Sequence, residues 1–277
     1  MSTYIEPATN QDATNTVMHD RLRQILVLVA IVATIVVNGL ANALPINGQQ
    51  TGDISDRFDV FFVPAGYVFS IWGVIYLALI GYGIFQAMPA QRENPRLRTI
   101  GYLFVLSCVA NIVWIFLWHY ELFPLTLAAM LVLLGSLIAI YLRLGTGVTT
   151  AGRGETWFVR LTFSIYLGWI TVATIANVTS LLDYLGWGGF GLAPALWAVI
   201  MLVVGAVVGL FFSLRLGDIA YVLVLVWAFV GIAVKHSGTP LVAWTAAGLA
   251  GLLALSIIGA VIRRRQIGAT ATPLPAA

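Results

Sequence analysis

Charged residues are scarce in this chain. Only 9% of its 277 residues are Asp, Glu, Lys or Arg, whereas 60% are hydrophobic, and the mean hydropathy is +0.96. Since a typical soluble domain has roughly 25% charged residues, this composition excludes a soluble globular protein. The net charge of +3 comes without a basic patch, so no nucleic-acid partner is expected. The sequence therefore predicts an integral membrane protein, with the lipid bilayer as its first partner.

Cysteine and histidine are nearly absent. The one cysteine, Cys108, lies within an apolar run, which excludes an intrachain disulfide and a thiolate metal site. The histidines His19, His119 and His236 lie in the N-terminal tail or at the edges of apolar runs, without a second ligand at helical spacing. This pattern favours neither haem nor zinc, so no metal is predicted. His119 is interpreted as an interfacial cap.

Ionisable side chains are missing from the middle of the apolar runs. The acidic residues Glu121, Asp183 and Asp218 lie at run ends, and no paired carboxylates are found within the runs. A proton- or ion-coupled transporter usually keeps an ionisable residue inside the membrane, so that class is disfavoured. No catalytic residue is predicted, and the chain is not expected to be an enzyme.

What the sequence has in abundance is apolar runs, most of them longer than the ~17–20 residues that span a bilayer. Eight such runs cover residues 22–44, 66–88, 97–118, 123–142, 157–182, 193–214, 219–234 and 241–262, and the seventh is the shortest. None alternates as a barrel strand does. The predicted fold class is therefore all-α, a polytopic helical membrane protein with about eight transmembrane helices. Short links make successive helices antiparallel neighbours in a bundle.

The basic residues mark one side of the membrane. With the N-terminus inside, twelve of the fourteen Lys and Arg residues fall on the inner side, and only Arg57 and Lys235 fall on the outer side. This asymmetry follows the positive-inside rule. It depends on all eight spans, because the loss of one inner span would move every later loop to the opposite side of the membrane. The sequence predicts a bacterial cytoplasmic (inner) membrane location with both termini in the cytoplasm.

The first run has a second interpretation. Its preceding arginines, the apolar stretch 25–37 and the small triplet Ala41-Asn42-Ala43 resemble a cleaved signal peptide. A retained span is favoured, since twenty residues precede the arginines and the apolar stretch continues through Leu44. The tails 1–20 and 266–277 are predicted to be disordered.

The segment PAGYVFSIWGVIY, residues 64–76, opens the second span with proline, glycine and clustered aromatic rings. Rings with one polar edge suit a pocket for a flat, mostly apolar ligand, and they also fit an interfacial aromatic belt. The outer segment 45–63 precedes it and carries Ile54, Phe58, Phe61 and Phe62. That segment is either a lid over a cavity or an ordinary acidic, solvated loop.

Two further spans each carry aromatic and amide side chains on one helical face. These residues are Asn111, Trp114 and Trp118 in the third span and Tyr166, Trp169, Ala173 and Asn177 in the fifth. An asparagine amide in hydrocarbon needs a partner, so both amides should point into the bundle. They either meet the polar edge of a ligand or join neighbouring helices.

Three of these segments resemble signatures of one family. PAGYVFSIWGVIY resembles the loop-to-second-helix signature of the TspO/translocator-protein family, also called tryptophan-rich sensory proteins. NIVWIFLW resembles that family's Asn-x-x-Trp helix, and YLGWITVATIAN resembles its fifth-helix pattern. The match covers about 22–184, and the later spans lie beyond the usual five helices. The chain thus resembles an extended member with three added helices.

The resemblance implies a domain organisation and a site. The domains are a cytoplasmic tail 1–20, a five-helix bundle 21–185, three additional transmembrane helices 186–265 and a tail 266–277. A pocket beneath the first outer loop would bind porphyrins and related flat molecules. The residues carried over to that pocket are Tyr67, Trp72, Asn111, Trp114, Trp169, Ala173 and Asn177.

This chain departs from the family pattern in three places, and one of them is the absence of a further proline before the helix tryptophan, at Ser70-Ile71-Trp72. Pro64-Ala65-Gly66-Tyr67 replaces the usual double proline with tryptophan, so the ligand range is expected to differ. The residues after Tyr184 lack the basic residue of the cholesterol-type motif, so sterol recognition is not implied.

The resemblance implies a non-enzymatic membrane receptor or carrier for a hydrophobic small molecule. No cofactor is required, and the bound molecule would be a porphyrin, another tetrapyrrole or a lipid. The alternative is a structural or assembly subunit, whose partner would be a second copy in a homodimer or a larger membrane complex. Porphyrin degradation, suggested for some family members, is the weakest of the three hypotheses.

Overall fold

The structure, a computed structural model, describes the backbone of residues 10–270 and the side chains of residues 17–267. Within these limits the chain is helical apart from turns, links and one isolated bridge between Ile46 and Gln49. Seven helices are long and apolar enough to cross a bilayer, and an eighth apolar helix of 17 residues is shorter. The all-α, polytopic membrane fold is confirmed.

The helices follow the predicted runs closely. In chain order they are α1 (Asn10–Ala43), α2 (Thr51–Asp56), α3 (Ile71–Ala87), α4 (Pro95–His119), α5 (Phe123–Leu144), α6 (Arg153–Glu155), α7 (Leu161–Tyr184), α8 (Pro194–Leu216), α9 (Ile219–Lys235) and α10 (Pro240–Thr270). A 3₁₀ turn (Gly66–Ser70) precedes α3, and a π-turn (Thr156–Arg160) joins α6 to α7. Gly145 and Gly217 end α5 and α8 in the left-handed conformation, which glycine adopts without steric cost.

Five helices form a closed ring. Helix α1 packs against α3 and α4, α5 packs against α4 and α7, and α7 completes the ring by packing against α3. Tyr82, Phe104 and Phe163 meet edge to face in its interior at centroid distances of 5.1–5.7 Å. This ring contains the five spans in which the sequence signatures lie.

The last three helices form a second group. Helices α8, α9 and α10 pack against one another, and α9 joins the group to α7 and to the 66–70 turn. A Cβ on Gly205 of α8 would lie 3.0 Å from the Phe229 ring, and one on Gly209 would lie 2.9 Å from Leu225. These two glycines therefore allow α8 to pack closely against α9 within the same chain.

The two ends of the helix assembly differ in charge. The terminal end is the one at which α1 begins and α10 ends, and the loop end is the one that carries the link between α1 and α3. Arg23 bonds the Leu97 carbonyl and Arg263 bonds the Arg215 carbonyl, which places these helix ends together at the terminal end. The twelve basic residues that the sequence assigns to one side lie there.

The tails differ from the prediction over part of their length. Helix α1 begins at Asn10 and α10 continues to Thr270, so 10–20 and 266–270 are helical rather than disordered. Extending an existing helix adds one hydrogen bond per residue, which makes continuation easier than nucleation. Asp20 is also buried and pairs with Arg98. The remaining tail residues, 1–9 and 271–277, lie outside the described part of the chain.

Candidate ligand-binding site

The segment between α1 and α3 folds down against the loop end of the ring. Ile54 of α2 is buried, and the Phe58 ring lies 5.8 Å from that of Trp118 and 5.1 Å from that of Phe123. Burial of an apolar side chain of this size contributes about 1.5–3 kcal/mol. The segment has the packed arrangement expected of a lid rather than that of a solvated loop, and we call residues 45–65 the lid.

Polar contacts fix the first half of the lid to the end of α4. The buried His119 ring bonds the Ile115 carbonyl through Nδ1 at 2.7 Å, which leaves Nε2 to accept from the Thr51 hydroxyl at 3.2 Å. The Asn47 side chain donates to the His119 carbonyl at 2.9 Å. His119, interpreted from the sequence as an interfacial cap, anchors the lid.

Aromatic side chains of α3 and α7 meet beneath the 66–70 turn. The Trp72 ring stacks on Tyr76 at a centroid distance of 5.6 Å and meets Tyr166 and Trp169 edge to face at 6.1 and 6.3 Å. Phe69, from the turn itself, packs against Trp169 at 5.7 Å. We call these five residues the α3–α7 cluster.

Two polar groups of the α3–α7 cluster are buried without a partner. Trp169 is 3% exposed, and its Nε1–H has no acceptor among the described residues. The Tyr166 hydroxyl lies near the Asn111 amide but makes no hydrogen bond of ordinary geometry within that part of the chain. An unpaired buried polar group costs about 1–3 kcal/mol, so such groups are rare. The cluster therefore has hydrogen-bonding capacity that the protein does not use.

A second polar set joins α4, α5 and α7. The Trp114 Nε1–H donates to Asn177 Oδ1 at 3.4 Å, and Asn177 Nδ2 donates to Thr126 Oγ1 at 3.0 Å. Trp114 also stacks on Trp118 at 5.2 Å with their planes 18° apart. Asn177 points into the bundle as predicted, and its hydrogen bonds are made to neighbouring helices.

Asn111 has a partner that the sequence analysis missed. Its Oδ1 accepts from Asn38 Nδ2 of α1 at 2.7 Å, and both residues are buried. The signal for Asn38 was available, because it is an asparagine within an apolar run, as Asn111 is. The bond ties α1 to α4 inside the ring, which supports a retained first span over a cleaved signal peptide.

Tyr67 lies apart from the α3–α7 cluster. It is 45% exposed, and its ring meets Trp227 of α9 edge to face at 5.3 Å. Trp227 also donates from Nε1 to the Val68 carbonyl at 3.0 Å. Ala173 is partly buried on α7, one turn beyond Trp169. Trp227 is not among the residues predicted from the sequence, because the three signature segments end before α8.

Helix α9 holds the second half of the lid. The Ala65 N–H donates to the Gly231 carbonyl at 3.1 Å, and His236 Nε2 lies 3.2 Å from the Val63 carbonyl. The Phe61 ring meets that of His236 edge to face at 5.2 Å. The segment that leads into α3 is therefore positioned by one of the last three helices.

Comparison with protein-family models matches residues 24–259 to the family described as TSPO-like protein. The chain belongs to the TSPO-like family. A search of curated proteins and a search of solved structures return no significant match. The family match includes the three signature segments and continues through α8 and α9 into α10. Membership indicates a membrane receptor or binding protein.

The seven residues predicted for the site of this TSPO-like protein are not all brought together. Trp72 and Trp169 lie in the α3–α7 cluster, and Tyr67 lies against α9. Asn111 and Trp114 lie on α4, Ala173 and Asn177 lie on α7, and the hydrogen bond from Trp114 to Asn177 joins these two helices. The two amides are occupied by protein partners. Ligand contact by these residues stays a prediction.

Acidification is expected to loosen the lid of this TSPO-like protein. Burial lowers the pKa of His236 below its usual value of about 6.5. The hydrogen bond to the Val63 carbonyl raises this pKa, and the positive charge of Lys235 lowers it further. Because His236 binds a proton more readily once the lid has detached, the stabilisation is complete above about pH 6.5 and is lost as the pH falls through the lowered pKa. Exchange of the Ala65 amide hydrogen, corrected for intrinsic rates, should accelerate below that pH.

His236→Gln is the matched variant for this test. Glutamine can still donate to the Val63 carbonyl but does not titrate, so the corrected exchange rate of Ala65 should be independent of pH. An equal pH response in the variant and in the unchanged chain would assign the effect to another group.

Proposed function

We propose that the chain is a membrane receptor or carrier that binds a flat hydrophobic ligand, such as a porphyrin or another tetrapyrrole, at the α3–α7 cluster. The observation that carries the proposal is the buried, unpartnered Nε1–H of Trp169. A ligand with a hydrogen-bond acceptor would pair this donor, while its flat face would contact the Trp72 ring. A tetrapyrrole has both a flat aromatic macrocycle and acceptor atoms at its edge.

Ligand binding would be transmitted to the contact between the 66–70 turn and α9. Phe69 packs against Trp169, and the turn that holds Phe69 is fixed to α9 through the bond from Trp227 to the Val68 carbonyl. A ligand entering beside Trp169 must repack Phe69, so its binding changes the contact between this turn and α9. A receptor would signal through this change, and a carrier would open at the same place.

The chain is proposed to be non-enzymatic, as the TSPO-like family generally is, and to require no cofactor. A lipid is the alternative occupant of the site. We also infer that the terminal end faces the cytoplasm of a bacterial inner membrane. The support for this orientation is the concentration of basic residues at that end.

Titration of the purified chain in lipid nanodiscs with protoporphyrin tests the proposal through tryptophan fluorescence. The chain has nine tryptophans, and we expect saturable quenching. Trp169→Phe keeps an apolar ring but removes the N–H. Its affinity for protoporphyrin should fall about tenfold, the amount expected for the loss of one buried hydrogen bond.

Trp244→Phe is the matched control. Trp244 lies on α10 and is 78% exposed, so its replacement should leave the affinity unchanged. Quenching that does not saturate, or equal affinities for Trp169→Phe and Trp244→Phe, would refute the proposed site.

A further inference from the structure

A cavity of about 470 Å³ opens at the terminal end of the helix assembly, away from the α3–α7 cluster. Its walls are the link between α5 and α6, the π-turn, the turn between α8 and α9 and the end of α10. Ligand pockets usually have volumes of roughly 300–1,000 Å³, so this cavity is of suitable size. Turns of the π type are also frequent at functional sites.

The carboxylate of Asp218 lines this cavity and is buried without a counter-ion. Its Oδ2 accepts hydrogen bonds from the hydroxyls of Tyr141 at 2.9 Å and Ser164 at 2.5 Å. Its Oδ1 accepts from the Tyr221 N–H at 3.1 Å. None of these donors is charged, and no Lys or Arg among the described residues forms a salt bridge with Asp218.

Arg160 lines the same cavity but does not supply the counter-charge. Its Nε donates to the Glu155 carboxylate at 3.1 Å, and its Nη2 donates to Thr149 Oγ1 at 2.9 Å. A buried charge is costly unless it is paired, so the Asp218 carboxylate suits a ligand cation. The Thr146 hydroxyl, also in the wall, has no hydrogen-bond partner in this part of the structure.

Arg264 provides the opposite charge at the rim. The turn that holds Asp218 packs directly on α10, because a Cβ on Gly217 would lie 3.2 Å from the backbone nitrogen of Arg264. The Arg264 side chain is exposed and forms no ion pair with a described residue. The cavity therefore offers a carboxylate in its wall and a guanidinium at its rim.

The cavity also has an apolar wall. Trp157 and Leu223 line it, and both are more than half exposed on the outer surface of their helices. Both lie near helix ends, where tryptophan marks the membrane interface. Opposite charges beside exposed apolar side chains fit an amphiphile better than a soluble ion.

We propose that this cavity binds the headgroup of a zwitterionic membrane phospholipid that carries a primary ammonium. The ammonium lies at Asp218, the phosphate lies at Arg264, and the acyl chains follow Trp157 and Leu223. A primary ammonium has three N–H donors for the carboxylate, whereas a quaternary ammonium has none. This site is separate from the proposed ligand site, and neither depends on the other.

Native mass spectrometry of the delipidated full chain, supplied with equal amounts of phosphatidylethanolamine and phosphatidylcholine, tests this assignment. The unchanged chain should bind phosphatidylethanolamine about tenfold more tightly, because only this lipid makes the charge-assisted bond to Asp218. Asp218→Asn keeps the side-chain shape and should abolish the preference. Arg264→Gln should weaken both lipids equally, since both carry the phosphate.

Arg265→Gln is the control, because Arg265 is not among the residues that line the cavity, and its lipid binding should match that of the unchanged chain. Equal binding of the two lipids by the unchanged chain, or a preference that persists in Asp218→Asn, would overturn the proposal. So would undiminished lipid binding by Arg264→Gln, an exposed position at which folding is not at risk. Displacement of the lipid by equimolar free phosphoethanolamine would assign the site to a soluble ligand instead.

Discussion

Replacing Glu155 with glutamine is expected to lower the free energy of unfolding by about 3–5 kcal/mol. The Glu155 carboxylate accepts hydrogen bonds from Arg96 at 2.8 Å and from Arg160 at 3.1 Å, and Arg160 is buried. Glutamine keeps the shape of the side chain but removes the negative charge, so a buried guanidinium loses its counter-charge. Unfolding by SDS in mixed micelles measures the change.

Two further variants separate this effect from a general loss of charge. Glu93 is exposed and forms no salt bridge with a described residue, so Glu93→Gln should change the unfolding free energy by less than about 0.5 kcal/mol. Combining Glu155→Gln with Arg160→Met removes both charges, so the double variant should lose less than the sum of the single losses. Strictly additive losses would show that Glu155 does not compensate Arg160.

The positions of the membrane-spanning helices follow from the lengths of the apolar runs in the sequence. The run predicted over 123–142 is α5, Phe123–Leu144, and the run predicted over 219–234 is α9, Ile219–Lys235. In hydrocarbon each backbone N–H and C=O must be paired within its own helix, so a long apolar run becomes a helix. Which helices pack against one another does not follow from the lengths of these runs. The bond between Asn38 and Asn111 joins residues 73 apart, and only the folded chain shows that these two amides meet.

Helical periodicity predicts inward faces but not the partners on them. Trp114 and Asn177 are both placed inside by their spacing, and the structure joins them by a hydrogen bond. Tyr67, carried over from the family resemblance, lies instead against Trp227, because α9 packs beside the 66–70 turn. The three signature segments end before α9, so they do not predict this contact. The unpaired N–H of Trp169 is likewise invisible in the sequence, since it depends on which acceptors lie nearby.

The substitution Gly231→Val is expected to detach the 64–69 segment from α9 and to weaken protoporphyrin binding by about tenfold or more. A Cβ on Gly231 would overlap Val68 Cγ2 and would lie 3.1 Å from the Pro64 side chain. Val68 is fully buried and β-branched, so it cannot rotate away without clashing elsewhere. The displaced segment would lose the bond from Ala65 to Gly231 and move Phe69 off the proposed site. Hydrogen exchange over 63–69 and the protoporphyrin titration measure the two effects.

Gly248→Val isolates the steric contribution, because both glycines lie within helices and a Cβ on Gly248 of α10 has no heavy atom within 4 Å. The change in helix propensity from glycine to valine is common to both variants, so a difference between them reports the contact with Val68. Gly231→Val should therefore raise exchange over 63–69 and weaken binding, while Gly248→Val should leave both unchanged. Fast exchange with full affinity in Gly231→Val would show that the position of the 64–69 segment does not affect ligand binding, and would contradict the role proposed for this segment. Unchanged exchange would instead show that α9 does not hold the segment.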